Sequence, residues 1–268
     1  MIGAIIGDII GSRYEFDNIK TKEFDLFAKD CEFTDDTVIT IAVAKALRQH
    51  EGSTDLEAFK QTLISTMHEV GGNYPRCGYG WSFRLWILRK QTEPYNSFGN
   101  GSAMRVSPVA WYANSLEETE GLAKATAEVT HNHPEGIKGA QAIASATFLA
   151  RTGKTKEEIR QYITENYYTI DFTLDEIRPT YRFNETCQGT CPQALQAFFE
   201  STDFEDAIRN AISIGGDSDT IAAMTGAIAE AYYGIPENIK SKALSYLDHY
   251  LSPELNNISF CSPKPANN

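Results

Sequence analysis

Two short acidic motifs carry the residue types for hard-cation chemistry. Thr34-Asp35-Asp36-Thr37 opens one apolar, helix-like run, and Asp217-Ser218-Asp219-Thr220 opens another far along the chain. Each places two carboxylates and two hydroxyls in four residues. Oxygen donors of this kind suit Mg²⁺ or Mn²⁺. Each motif alone also reads as an ordinary helix start, capping free N–H groups and complementing the macrodipole. Two features favour a shared cation site. Capping needs one carboxylate or hydroxyl, and adjacent Asp35 and Asp36 repel one another unless a cation or basic partner neutralises them. Gly215-Gly216 precedes the second motif and permits a sharp turn with close backbone approach. The expectation is that the fold brings the two helix starts together as one oxygen-lined site.

Other segments have the composition of ligand loops. In Phe98-Gly99-Asn100-Gly101-Ser102-Ala103-Met104-Arg105, glycines flank Asn before a helix start. Exposed N–H groups there could hold a phosphate, or the segment could be a plain tight turn. It lacks the Lys of a P-loop and the third Gly of a dinucleotide fingerprint. Glu15 falls where the first helix should end, as a site carboxylate or an exposed loop residue. His131 and His133 flank Asn132 ahead of Pro134; such a pair can bind metal, cap the next helix or line a cleft. The aromatics Tyr79, Trp81, Phe83 and Trp86 read as core rather than a base-stacking platform. Cys187 and Cys191 have no His nearby and do not favour a zinc site.

The elements that must position these residues read as helices. Gly3, Gly7 and Gly11 recur at spacing four, a small-residue stripe that lets another helix approach closely. Helices are expected over 37–47 with Thr34 as N-cap, and after Thr54-Asp55-Leu56-Glu57, a capping-box pattern, to about Val70. Further helices are expected from Ser115 and Glu118 to about Val129, over 134–151, and from Thr155 and Glu158 to about Asn166. The last ones span 192–200, 204–214, 219–233 and 236–250. The helix from Asp219, rich in Ala and Gly, is the candidate for the middle of the domain. Strand signals are sparse, and residues 167–183 are the most ambiguous stretch. The reading is a compact all-α fold in a single domain, 1–268.

A chain of 268 residues with 42% hydrophobic and 11% aromatic content can bury a substantial core. The net charge of −12 disfavours nucleic acid and anionic membrane surfaces as partners. No secretory signal or membrane span is expected. The five cysteines, Cys31, Cys77, Cys187, Cys191 and Cys261, are an odd number and do not read as a disulfide framework. A reduced, cytoplasmic monomer is the expectation.

With these motifs in order, the chain resembles the ADP-ribosylglycohydrolases, a family that includes the dinitrogenase reductase-activating glycohydrolase. The resemblance rests on Gly7-Asp8-Ile9-Ile10-Gly11 with Glu15, Phe33-Thr34-Asp35-Asp36-Thr37, Gly99-Asn100-Gly101-Ser102-Ala103-Met104-Arg105, Thr130-His131 with His133-Pro134, and Gly215-Gly216-Asp217-Ser218-Asp219-Thr220. It implies an all-α fold with a dinuclear Mg²⁺ or Mn²⁺ centre between helix N-termini, held by Thr34, Asp35, Asp36, Asp217, Asp219 and Thr220. It implies that Glu15 gates or assists at the mouth, with Glu15 or Asp35 moving the proton. It implies that Asn100, Gly101, Ser102 and Met104 surround the diphosphate and ribose, with His133 in the substrate cleft. Residues 78–84 depart from the corresponding loop of some members. The implied activity is hydrolysis of the glycosidic bond between ADP-ribose and an acceptor, either an ADP-ribosylated protein or a small conjugate.

Two alternatives stand beside it. A metal-dependent phosphohydrolase on a helical scaffold is disfavoured because no His-Asp dipeptide occurs. A non-catalytic ADP-ribose binder on the same fold would be marked by loss of the acidic ligands, which are all present.

Overall fold

A computed structural model describes residues 1–258 and shows fifteen helices among them, with no named strand. In chain order these begin with α1 (Ile2–Ser12), α2 (Asp35–Gln49), α3 (Leu56–Gly72), α4 (Trp81–Leu88) and α5 (Gly101–Met104). There follow α6 (Ser107–Tyr112), α7 (Leu116–Glu128), α8 (Pro134–Arg151), α9 (Lys156–Asn166) and α10 (Leu174–Ile177). The last are α11 (Cys187–Glu200), α12 (Phe204–Ser213), α13 (Ser218–Tyr233), α14 (Glu237–Leu244) and α15 (Leu251–Asn256). The main hydrophobic core runs through them, from Met1 to Ile258, and a small cluster of Ala4, Ala223 and Ala227 sits between α1 and α13. None of these helices is long and apolar enough to cross a membrane.

The glycine stripe sets the centre of the fold. A Cβ on Gly3 would lie 2.1 Å from the carbonyl oxygen of Gly226, and one on Gly7 would lie 2.1 Å from that of Ala222. One on Gly11 would lie 2.5 Å from Asp219 Cα. The order of these contacts makes α1 and α13 antiparallel, touching backbone to backbone. Side chains at these three positions would push the helices apart, because ridges cannot interdigitate at that separation. Glu230, near the end of α13, accepts the Gly3 N–H at 2.7 Å, so α13 also satisfies a free donor of α1's first turn. On its other sides α13 packs against α8, α11 and α12, and every residue from Ser218 to Glu230 is buried. The Ala- and Gly-rich helix is therefore central, as its composition indicates.

Several helix starts follow their sequence signals. Thr34 accepts the Asp36 N–H, and Thr155 and Glu158 form both halves of a capping box. Others shift. Asp55, not Thr54, caps α3, accepting from Glu57 and Ala58 at 3.0 Å each. Ser115 caps α7, while Glu118 reaches past it to the Asn114 N–H at 2.7 Å. Helix α11 begins at Cys187 rather than Pro192, because Thr186 accepts the Gly189 N–H and starts it earlier. The expected last helix is broken, with α14 ending at Leu244 and α15 starting at Leu251. Within residues 167–183, Thr173 and Glu176 form a capping box for the single-turn α10. Cys31, Cys77, Cys187 and Cys191 are free thiols, while Cys261 lies outside the described residues.

Candidate active site

Asp8 on α1 organises the first acidic motif. It is fully buried. Its Oδ2 accepts the N–H groups of Thr34 at 2.9 Å and Thr37 at 3.0 Å, along with the Thr37 hydroxyl. Its Oδ1 accepts the Thr34 hydroxyl at 2.7 Å. A carboxylate from a neighbouring helix thus caps the start of α2, so Asp35 and Asp36 are not needed for capping. The second motif behaves alike. Asp217 is the N-cap residue of α13 yet makes no side-chain cap bond. Its Oδ2 instead accepts from Asn100 Nδ2 at 2.7 Å.

The two motifs meet directly. Thr220 donates its hydroxyl to Asp36 Oδ2 at 3.1 Å, joining the starts of α13 and α2. Asp36 Oδ1 is buried with no hydrogen-bond partner. Carboxylate oxygens of Asp8, Asp36 and Asp219 lie within 4.8 Å of one another, and so do those of Glu15, Asp217 and Asp219. The antiparallel pairing of α1 and α13 explains the second group, since the end of α1 lies beside the start of α13. Asn18 fastens that corner. Its amide donates to the carbonyls of Tyr14, Glu15 and Gly216 at 2.7, 2.9 and 2.9 Å, and accepts the Gly216 N–H at 2.7 Å. Gly215 and Gly216 have φ of +66° and +81°, which side chains rarely adopt, so the turn into Asp217 requires glycine.

Asp35, Asp36, Asp217, Asp219, Thr220 and Glu15 line one cavity of about 320 Å³. Asn100, Gly101, Met104, Arg105, Tyr95 and His131 form another part of its wall, with Trp81, Phe183 and Glu185 also lining it. Three expected site residues point elsewhere. The Thr34 hydroxyl is turned to Asp8. Ser102 is buried and donates to the Gly136 carbonyl at 2.7 Å, tying α5 to α8. His133 accepts the Glu135 N–H at 3.1 Å as the N-cap of α8 and sits edge-on to Phe98, whereas His131 lines the cavity. Of the aromatic run, Tyr79, Phe83 and Trp86 are core, but Trp81 is 72% exposed beside the cavity. Cys187 and Cys191 are packed against the Gly99 carbonyl and Met224, respectively.

Glu185, Phe183 and Tyr95 carry no local motif and were not anticipated. The Gly99–Thr186 bridge, in which Asn100 N–H meets the Glu185 carbonyl at 2.7 Å, brings the first two to the cavity. Asp8 stood inside a motif without a role, because its partners are distant in sequence.

Electrostatics follow from crowding carboxylates out of water. Burial pushes Glu15 up to about 8, helped by Asp219, Asp8 and Glu185. Burial raises Asp8 to about 6 against the pull of its four donors, and Asp217 to about 6. Burial, then neighbouring carboxylates, hold Asp35, Asp36 and Asp219 well above the usual range. Burial, then the Arg105 guanidinium, push His131 well below its usual value, so it is neutral at pH 7. Such a set is costly unless protons or cations neutralise it. The unpartnered Asp36 Oδ1 and the all-oxygen donor set fit hard divalent cations. No histidine or cysteine belongs to either acidic group, which argues against zinc.

The profile of the ADP-ribosylglycohydrolase family matches residues 1–258. The chain is 27% identical to the ADP-ribosylarginine hydrolase Tri1 of Pseudomonas putida, over 95% of this chain and 76% of that one. It is 26% identical to the Homo sapiens ADP-ribosylhydrolase ARH3, over 92% and 88% of the two chains. It is also 26% identical to the ADP-ribosyl-[dinitrogen reductase] glycohydrolase of Rhodospirillum rubrum, over 95% and 90%. A solved structure described as an ADP-ribosylglycohydrolase-related protein complex shares the fold, with TM-score 0.62, 22% identity and coverage of 94% of this chain and 97% of that one.

Proposed function

The chain belongs to the ADP-ribosylglycohydrolase family, and from that premise we propose that it hydrolyses the bond between C1 of an ADP-ribose ribose and its acceptor. The substrate is an ADP-ribosylated protein side chain or a small ADP-ribose conjugate, and residues 1–268 act as one catalytic domain. The observation that supports this best is the junction of Thr220 with Asp36, which sets buried carboxylates beside the cavity wall formed by Asn100 and Gly101.

On this reading Asp35, Asp36, Asp217, Asp219 and Thr220 would hold two Mg²⁺ or Mn²⁺ ions, while Thr34, whose hydroxyl is bound to Asp8, would fix the start of α2 beside them. When bound, the cations orient the ribose hydroxyls and lower the pKa of a water. The protein supplies the rest. Asn100, Gly101 and Met104 hold the diphosphate and ribose against one wall. Positive charge growing at C1 in an oxocarbenium-like transition state is offset by the surrounding carboxylates. On the same reading Glu15 at the mouth or half-buried Asp35 moves the proton between water and the departing acceptor.

Mass spectrometry of products from arginine-, serine- and acetyl-linked ADP-ribose, with Mg²⁺ and with EDTA, tests the proposal. Free ADP-ribose from at least one conjugate, lost in EDTA, is expected. Release of AMP or inorganic phosphate without free ADP-ribose would identify a phosphohydrolase instead.

A further inference from the structure

Residues 70–92 hold four cations, Arg76, Arg84, Arg89 and Lys90, and no acid, in a chain whose net charge is −12. All four are exposed, and none of their side chains has an ion-pair or hydrogen-bond partner among the described residues. Elsewhere surface cations meet carboxylates. Lys60 meets Glu57 and Glu128, and Arg209 meets Glu205.

Helix α4 gives this run a shape. Phe83, Trp86 and Ile87 are buried. Trp86 stacks on His68 with ring centroids 4.3 Å apart and donates its indole N–H to the Glu93 carbonyl at 3.1 Å. These contacts hold the helix by one side. Trp81, Arg84 and Leu88, spaced i, i+3 and i+7, share the outward side. Leu88 is 59% exposed, and Trp81 more so. Trp81 also lines the cavity, so the outward face begins at the rim of the site. Arg76 stands on the turn before α4, and Arg89 and Lys90 follow its end. Lys90 has φ of +48°, in the left-handed region where glycine is the usual helix terminator. Cations at a helix C-terminus complement the macrodipole, which accounts for Arg89 and Lys90. It does not account for Arg76, Arg84 or the two bare apolar side chains.

Trp and Arg are over-represented at the energetic centres of protein contacts, and Leu88 adds apolar area beside them. A partner must be acidic where it touches this face. A long polyanion would also meet the acidic remainder of the surface and be repelled. A short acidic stretch of a protein meets α4 alone. We propose that the outward face of α4 docks an acidic stretch of the protein that carries the ADP-ribose, close to the attachment point. This rests on the reading of the preceding section and narrows its substrate to acidic proteins rather than small conjugates.

The test uses arginine- and serine-linked ADP-ribose in Mg²⁺. Each is supplied free, in a peptide flanked by Asp and Glu, and in the same peptide flanked by Lys. The wild type should favour the acidic peptide by about tenfold in kcat/KM at low ionic strength, through KM, and salt should shrink the gap. The double variant Arg84→Glu/Arg89→Glu should remove or reverse the preference and leave the free conjugate within about twofold of wild type. Leu88→Ala should slow the acidic peptide alone, by about threefold. Equal kcat/KM on the two peptides, or a double variant that slows free conjugate and peptide alike, overturns the docking face. If no conjugate is cleaved, the functional reading fails, and fluorescence anisotropy of the unmodified acidic peptide still decides the face. Binding at low salt that the double variant weakens about tenfold supports it; absent binding, or equal binding to both proteins, overturns it. Tighter binding of single-stranded DNA of the same charge overturns the assignment to a protein partner.

Discussion

At the scale of single residues, the site depends on carboxylates doing work their neighbours would otherwise do. Asp8 caps α2 from the side and frees Asp35 and Asp36 for the cavity. Asp8→Asn keeps the shape but turns an amide N–H₂ toward N–H groups, or trades one acceptor for a donor. Leaving buried donors unsatisfied costs roughly 1–3 kcal/mol, which denaturant unfolding would read. Activity should also fall, because Thr34 loses its anchor; wild-type stability in this variant would contradict the capping role. Asp36→Asn and Asp219→Asn should each abolish Mg²⁺-stimulated ADP-ribose release while leaving the helical circular dichroism spectrum intact. Unchanged activity in both would remove them from the chemistry.

At the scale of elements, the pairing of α1 with α13 decides where the carboxylates go. Gly7→Ala would drive a methyl into the Ala222 carbonyl. Overpacking of this kind costs about 1–3 kcal/mol or more, and it should also loosen the approach of Glu15 to Asp219. Gly72→Ala, at an exposed helix end with nothing within 4 Å, should be neutral or stabilising by about 0.5–1 kcal/mol. Thermal melts of the two variants should move in opposite directions or at least differ clearly in size; equal shifts would show that the stripe is not a packing device. The close approach on α1 and the central place of the Ala-rich helix were both legible in the sequence, but that these two helices pair with one another emerged only from the structure. The acidic motifs were legible as helix starts, and their surplus of carboxylates already pointed to a shared site, to which the resemblance added the ligand set. What the sequence did not reveal lies in contacts between distant segments. Asp8 finds its partners on α2, Asn18 bridges to Gly216, and Glu185 reaches the cavity through the Gly99–Thr186 bridge. The pair His131 and His133 shows the same limit. Either ring could have capped α8, and only the path of the backbone assigned the cap to His133 and the cavity to His131.

At the scale of the whole molecule, the acidic cavity should couple stability to pH and to cations. Glu15, Asp8 and Asp217 have folded-state values raised to about 8, 6 and 6. In the unfolded chain such groups titrate near about 4. The cation-free native state therefore holds protons that the unfolded state has released, and it loses stability as pH rises from about 4 to 8. Hard cations bind the ionised form and should flatten that slope. Melting curves of EDTA-treated protein should show Tm falling across this range and recovering on addition of Mg²⁺; a Tm that rises with pH and ignores Mg²⁺ would contradict the crowding of these carboxylates. The most direct measurement is anomalous diffraction from crystals soaked in Mn²⁺. The account predicts two anomalous peaks between the starts of α2 and α13, within bonding distance of Asp36 and Asp219. Density maps with no peak there, or with Mn²⁺ bound only elsewhere, would contradict it.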